Sequence, residues 1–225
     1  MIKKILLLLS TVIFFNLTGC ENEDVLHSPE QPQGINSISG EVQSWNESAD
    51  RVLLFGFGEN EIFGATKISR KGTFQLNLSD PDENLLTPLN LFPAGGVSTH
   101  TLIFSREDVK AIVGSFYVYQ TGVMLPVGQI YRHSSSLPGE ISSVGPWFSV
   151  QYIFVNESVS ISGKEVCLYN FEEGVFFSIT QKVNLELVKG WNKIIYRSIE
   201  EDTQSSTIEV SNVEPSGGNW YYDAL

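Results

Sequence analysis

Thr73-Phe74-Gln75-Leu76-Asn77-Leu78-Ser79 alternates polar and apolar side chains without a break. Successive side chains of a β-strand point to opposite faces, so Phe74, Leu76 and Leu78 would share one buried face. Such alternation is typical of a half-buried strand in an antiparallel sheet. Gly72, directly before the stretch, can adopt the positive φ that a tight turn needs. The stretch therefore predicts one strand of an antiparallel β-sheet.

Segments of the same kind follow on both sides of this strand. Turns rich in Gly, Ser, Asn and Asp separate them at spacings of about 8–12 residues, which is typical of sandwiches. No long window after residue 19 shows apolar residues at helical spacing. We therefore predict an all-β fold, an antiparallel β-sandwich with two β lobes at residues 36–93 and 94–225. The predicted strands include 39–45, 51–57, 62–69, 111–120, 124–133, 147–155, 183–187 and 219–222.

The N-terminus combines two lysines, an apolar run and a cysteine. The run, residues 5–17, is shorter than the ~20 residues that a spanning helix needs. Thr18 and Gly19 are small, so a peptidase can reach the bond before Cys20. Residues 1–19 resemble a bacterial lipoprotein signal peptide, and the resemblance implies that Cys20 carries the acyl chains, including palmitate. The alternatives are an ordinary secretory signal, which would want an Ala-x-Ala-like site that this segment lacks, and a short membrane anchor.

The residues after Cys20 refine the expected location. Glu21-Asn22-Glu23-Asp24 resembles the acidic tag of surface-exposed lipoproteins of the Bacteroidota. Asn22 also stands where enterobacterial lipoproteins retained in the inner membrane carry aspartate. Residues 20–35 contain two prolines and few large apolar side chains, so we predict a disordered tether. The predicted location is the outer membrane of the cell envelope, with either the periplasmic or the surface-exposed orientation open.

The charge of the mature chain limits its partners. Loss of the two leader lysines leaves 12 basic residues against 26 acidic ones, a net charge of −14. A protein this acidic is repelled by nucleic acids and by anionic lipid head groups, so neither is expected as a partner. The expected partners are the membrane, reached through the N-terminal lipid anchor, and a glycan or an envelope protein.

Several motifs of the folded part occur together in one class of bacterial proteins. They are Ile38-Ser39-Gly40-Glu41-Val42, the 72–78 strand, the turn Lys189-Gly190-Trp191-Asn192 and the ending Trp220-Tyr221-Tyr222. In these motifs the chain resembles uncharacterised lipoproteins of the Bacteroidota type. Its first block is also similar to transthyretin-like and carboxypeptidase-regulatory-like sandwiches, which share a Gly-x-Phe strand. The resemblance implies fold and location only.

Residues suited to catalysis are few. Once Cys20 carries lipid, Cys167 has no cysteine to pair with, and its apolar neighbours predict a buried thiol. Outside the tether the histidines are His100 and His133, and neither has the spacing of a metal site. A Ser-His-Asp hydrolase would have to use one of them, and the chain has no Gly-x-Ser-x-Gly elbow. We therefore predict no enzyme activity, no cofactor and no metal, with an envelope hydrolase as the second alternative.

Aromatic residues at turns and strand ends suggest one sharper function. Flat rings on a β-sandwich can stack on sugar rings, so Trp147, Trp191 and Trp220 are candidate ligand-stacking residues. The alternative for each is packing in the core, and Trp191, directly after Gly190, would then cover its own hairpin. The function predicted is a membrane-anchored, non-catalytic structural or binding module of the cell envelope. The first alternative is a surface glycan-binding accessory protein.

Overall fold

A computed structural model describes residues 34–48, 50–57, 61–91, 97–134, 147–172, 175–202 and 204–225. Within these residues no helix is long and apolar enough to cross a membrane. The helical structure described is one 3-10 turn at Glu83–Leu85. The strands are β1 Ser37–Glu41, β2 Arg51–Phe57, β3 Glu61–Lys67, β4 Thr73–Asn77, β5 Thr87–Pro88, β6 Val97–His100, β7 Ile103–Phe104, β8 Lys110–Gln120, β9 Pro126–His133, β10 Phe148–Val155, β11 Val159–Glu172, β12 Val175–Leu187, β13 Gly190–Glu201, β14 Ser205–Ser211 and β15 Asn219–Ala224.

The alternating stretch that predicted the fold forms β4. Phe74 and Leu76 are buried, and the polar residues between and beside them are exposed. β4 pairs antiparallel with β1, where Ile38 is the Cα partner of Leu76. The prediction of an all-β sandwich-type fold is confirmed.

A second, larger sheet contains the other strands. β14 lies between β12 and β13, although these two strands are consecutive in the chain and joined by two residues. Because β12 and β13 run in opposite directions, β14 is antiparallel to β13 and has to be parallel to β12. The other pairings between described strands are antiparallel, as predicted. The order of the sheet is β3-β2-β8-β9-β10-β13-β14-β12-β11-β6, with β5 beside β8, β7 beside β11 and β15 beside β9.

β10 and β13 bury apolar side chains on both of their faces. Phe154 and Trp191 point to one face and belong to the cluster that also contains the buried residues of β1 and β4. Ile153 and Ile194 point to the other face, where they pack with apolar residues of β11, β12 and β14. Residues on opposite faces of β10 and β13 therefore belong to two separate cores, because successive side chains of a strand point to opposite faces.

β8, β9 and β10 meet at a three-way junction. Residues of β8 up to Gly114 pair with β10, whereas residues from Phe116 onward pair with β9. The last two residues of β9 pair with β10. All three pairings are antiparallel, and β9 passes from β8 to β10 in the gap where β8 and β10 separate. This gap, called the junction below, leaves space for a cavity.

The predicted boundary between two lobes, at residues 93 and 94, lies outside the described residues. β2 and β3, from the first predicted lobe, are in the same sheet as β8. Leu53 of β2 also shares a buried cluster with Trp220 of β15. Pro32–Leu225 form one compact unit. The division into lobes stays a prediction, and so do the signal peptide, Cys20 and the tether up to residue 33, which the described residues do not include.

Candidate functional site

Four ring side chains form a row on the outer face of the sheet. Tyr221 stacks with Tyr131 at a centroid distance of 5.9 Å, and the ring planes differ by 29°. The rings of His133 and Tyr131 form a T-shaped pair with a centroid distance of 6.4 Å. Trp147 stacks on His133 at 5.7 Å, with the ring planes only 15° apart. We call these four residues the aromatic row, and each of them is half-buried.

Strand register brings the aromatic row together. In β9, buried Ile130 points inward, so Tyr131 and His133 on the alternate positions point outward. Tyr221 of β15 is the Cα partner of Tyr131, and directly paired residues share one face of a sheet. Trp147 reaches the row from the position just before β10, whose Ser149 is the Cα partner of His133.

Hydrogen-bonding side chains line the aromatic row. Gln129 and Gln151 are exposed near Tyr131, and the amide of Asn219 lies 3.5 Å from the hydroxyl of Tyr221. Burial raises the pKa of Tyr131, and the carboxylate of Asp223 raises it further. The Tyr131 phenol is therefore neutral at physiological pH and can both donate and accept hydrogen bonds. Flat apolar rings edged by donors and acceptors suit a ligand that has apolar faces and polar edges.

A cavity of about 170 Å³ opens at the junction, beside the aromatic row. Its outer part is lined by Ser115, Gln129 and Tyr131. Its inner part reaches Arg132 and Tyr152, whose side chains lie on the core side of the sheet. The lining of the cavity thus includes residues that face either side of the sheet.

Arg132 is held on the inner face by charge and by an aromatic ring. Its Nε donates a hydrogen bond to Oε1 of Glu214 at 2.5 Å, and its Cζ lies 5.8 Å from the ring centre of Trp220. Lys193 donates from Nζ to the other oxygen of Glu214 at 2.8 Å. Glu214 therefore sits between two cations, an arrangement that fixes the guanidinium at the inner end of the cavity.

The three tryptophans that the sequence singled out lie in two different environments. Trp147 is half-buried and belongs to the aromatic row. Trp191 and Trp220 are each only 2% exposed, so protein atoms cover both faces of their rings and neither can stack on a ligand. Trp191 also does not lie in a turn, as predicted for residues 189–192, because β13 already begins at Gly190, where φ is 105°.

The predicted chemistry-bearing residues are dispersed. Cys167 is buried in β11, and burial raises the pKa of its thiol, which disfavours the thiolate. His133 belongs to the aromatic row. His100 lies in β6, where its Cα partner in the neighbouring strand β11 is Glu165. Among the described residues, no three His, Cys, Asp or Glu side chains are grouped closely enough to hold a metal ion.

The comparisons with known proteins find no match. No family model matches it, and neither a curated protein nor a solved structure matches it significantly. The candidate site therefore has to be interpreted from its own geometry. The similarity to Bacteroidota lipoproteins and to transthyretin-like sandwiches stays an expectation from sequence motifs.

Sequence reasoning missed Tyr131 as a member of the site, and Tyr221 was not among the three candidate stacking residues. A signal was available in the alternation of Gln129, Tyr131 and His133 on one side of a predicted strand. Their partner in β15 lies about ninety residues later in the chain, and alternation within one strand does not indicate which strand pairs with it.

Proposed function

We propose that this protein is a lipid-anchored, non-catalytic binding module of the bacterial outer membrane that binds glycans with its aromatic row. The anchor is supported by the lipoprotein-like segment that ends at Cys20. Acyl chains on Cys20 would hold the protein at the membrane, and the acidic tether would give it reach. The observation that supports binding is the row of half-buried rings beside exposed amides.

Glycans fit this row better than other ligand classes do. A sugar ring presents C–H groups to aromatic rings and hydroxyl groups to polar side chains. Because Tyr131 stacks on Tyr221 and His133 on Trp147, the sugar would contact the exposed edges and outer faces of these rings. The neighbouring ring centres are 5.7 to 6.4 Å apart, so a ligand must be extended to contact all of them. Gln129 and Gln151 can both donate and accept, as sugar hydroxyls require.

The anchor is tested by replacing the cysteine that would carry it. We expect Cys20→Ala to abolish incorporation of a palmitate analogue and to release the protein from the membrane fraction, because a single apolar leader does not replace two acyl chains. Cys167→Ala is the matched control, since it removes the other cysteine and should leave labelling intact. Continued membrane fractionation and labelling of Cys20→Ala would show that the protein is not a lipoprotein.

Glycan binding is tested with variants of the aromatic row. On a glycan array, we expect Tyr131→Ala and Trp147→Ala each to weaken the strongest interaction at least about fivefold, since a lost stacking contact on an aromatic side chain is worth roughly 1–3 kcal/mol. Phe57→Ala is the control, because Phe57 is 55% exposed but lies outside the aromatic row. A folded wild-type protein that binds no glycan would contradict the proposed ligand and favour an envelope protein as the partner.

A further inference from the structure

The inner end of the junction cavity carries hydrogen-bond donors that the protein itself does not use. The Nε of Arg132 donates its hydrogen bond to Glu214. Within the part of the chain that the structure describes, the two terminal amino groups of Arg132 have no hydrogen-bond partner. Tyr152 is 4% exposed and lines the same cavity, and among the described residues its hydroxyl has none either. The Arg132 side chain is 27% exposed and Tyr152 lines the cavity, so these donors are open to water or to a polar ligand there.

The charges at the inner end of the cavity favour an anion. Arg132 and Lys193 share the single carboxylate of Glu214, which leaves one net positive charge there, whereas the Asp223 carboxylate acts on Tyr131 at the outer part. The whole chain has a formal net charge of −12, so this local excess of positive charge is opposite to the rest of the protein. Because the cavity is partly closed, the attraction is screened less than on an open surface.

The size of the cavity restricts the guest to a small group. A volume of about 170 Å³ corresponds to five or six water molecules at about 30 Å³ each. A carboxylate and its attached carbon fit into this space. The terminal amino groups of an arginine match a carboxylate in a bidentate arrangement, and a tyrosine hydroxyl can donate a third hydrogen bond.

We propose that the junction cavity binds the carboxylate of an acidic sugar, a uronate, while neighbouring sugar units lie on the aromatic row. This inference rests on the proposed glycan binding and adds the chemical class of the glycan. Tyr131 lines the cavity and also belongs to the aromatic row, so a chain of sugars on the row can direct one substituent inward. Arg132 and Tyr152 recognise the charge, and the aromatic row supplies contact with the sugar faces.

The test compares charged and uncharged forms of the same sugar chain. Trimers of galacturonate and of mannuronate, each with its methyl ester, are titrated into purified full-length protein in detergent. We expect at least one free acid to bind about tenfold or more tightly than its ester, because charge-assisted hydrogen bonds are about twice as strong as neutral ones. In Arg132→Lys and Tyr152→Phe, the ratio of the two affinities should fall toward one.

Control variants separate this inference from the proposed function. Tyr196→Phe removes a tyrosine hydroxyl beside the core that Ile153 and Ile194 belong to, and it should leave the ratio of acid to ester affinity unchanged. Tyr221→Ala should weaken acid and ester alike, since it changes the aromatic row. Equal affinities of acids and esters in the wild type would overturn the uronate inference while glycan binding stands.

A second arm probes the cavity alone. Acetate is added while the side-chain NMR signals of labelled arginines are followed, with acetamide as the neutral comparison. We expect acetate to shift the Arg132 signal and acetamide to leave it in place. If acetate shifted the Arg132 signal but no glycan bound, the proposed glycan function would be refuted and only anion binding in the cavity would stand. If acetate shifted no signal, the inference of a carboxylate site would be overturned.

Discussion

Replacing Trp191 with alanine is expected to lower the free energy of unfolding by about 3–5 kcal/mol, the range measured for large aromatic residues in cores. The indole is 2% exposed and packs against Phe55, Phe63 and Phe154. Its Nε1 also donates a hydrogen bond to the carbonyl oxygen of Ser79 at 3.0 Å, which ties the start of β13 to the segment after β4. Urea unfolding followed by circular dichroism measures the change.

The matched control for Trp191 is the half-buried tryptophan of the aromatic row. Trp147→Ala should lower stability far less, because its ring is partly exposed and lies outside both core clusters. The two substitutions therefore separate the two interpretations that the sequence left open. A stable Trp191→Ala protein that had lost only ligand binding would contradict the structure, since it would make Trp191 a stacking residue.

Adding a single methyl group at Gly114 is expected to destabilise the fold by about 3 kcal/mol, at the upper end of the usual cost of overpacking a core. A Cβ at this position would lie 2.1 Å from Cζ of Phe55. Phe55 is fully buried and surrounded by the rings of Phe116, Tyr152 and Trp191, so it has no space to move into. Thermal and urea unfolding of Gly114→Ala measure the loss.

Gly34→Ala provides the comparison for Gly114. Its Cβ would make ordinary contacts, the nearest at 3.5 Å to the carbonyl oxygen of Lys189, so stability should stay within about 0.5 kcal/mol of the wild type. Equal stability of the two variants would mean that Phe55 can be displaced and that the core is less tightly packed than described.

The strands could be predicted well where alternation was regular. β4 follows directly from its alternating sequence, and β2 follows from a short apolar run. β11 runs from Val159 to Glu172 through Gly163, although glycine in a strand interior usually weakens it. In the structure Gly163 has φ 128° and lies so close to the backbone of Thr101 that a side chain would collide with it. The strand continues through an irregular residue, which periodicity cannot show.

The candidate site could be predicted only in part. Trp147 was identified because an aromatic residue at a strand end is visible in the sequence. Trp191 and Trp220 have the same local pattern, and only the packing of distant strands shows that they are core residues. The junction cavity depends on β8 separating from β10 around a third strand. Such a separation is a property of the whole sheet and has no signal in a single segment.

The position of β14 determines when the protein can fold during its synthesis. The chain makes β12 and β13 in succession, but the sheet needs Ser205–Ser211 between them. In a nascent chain that ends before residue 205, β12 and β13 therefore lack the strand that pairs with both of them in the native sheet. Completion of the sheet therefore has to wait for the last tenth of the polypeptide. That delay suits the export proposed for it, because a translocation channel accepts an extended chain and excludes a finished sheet.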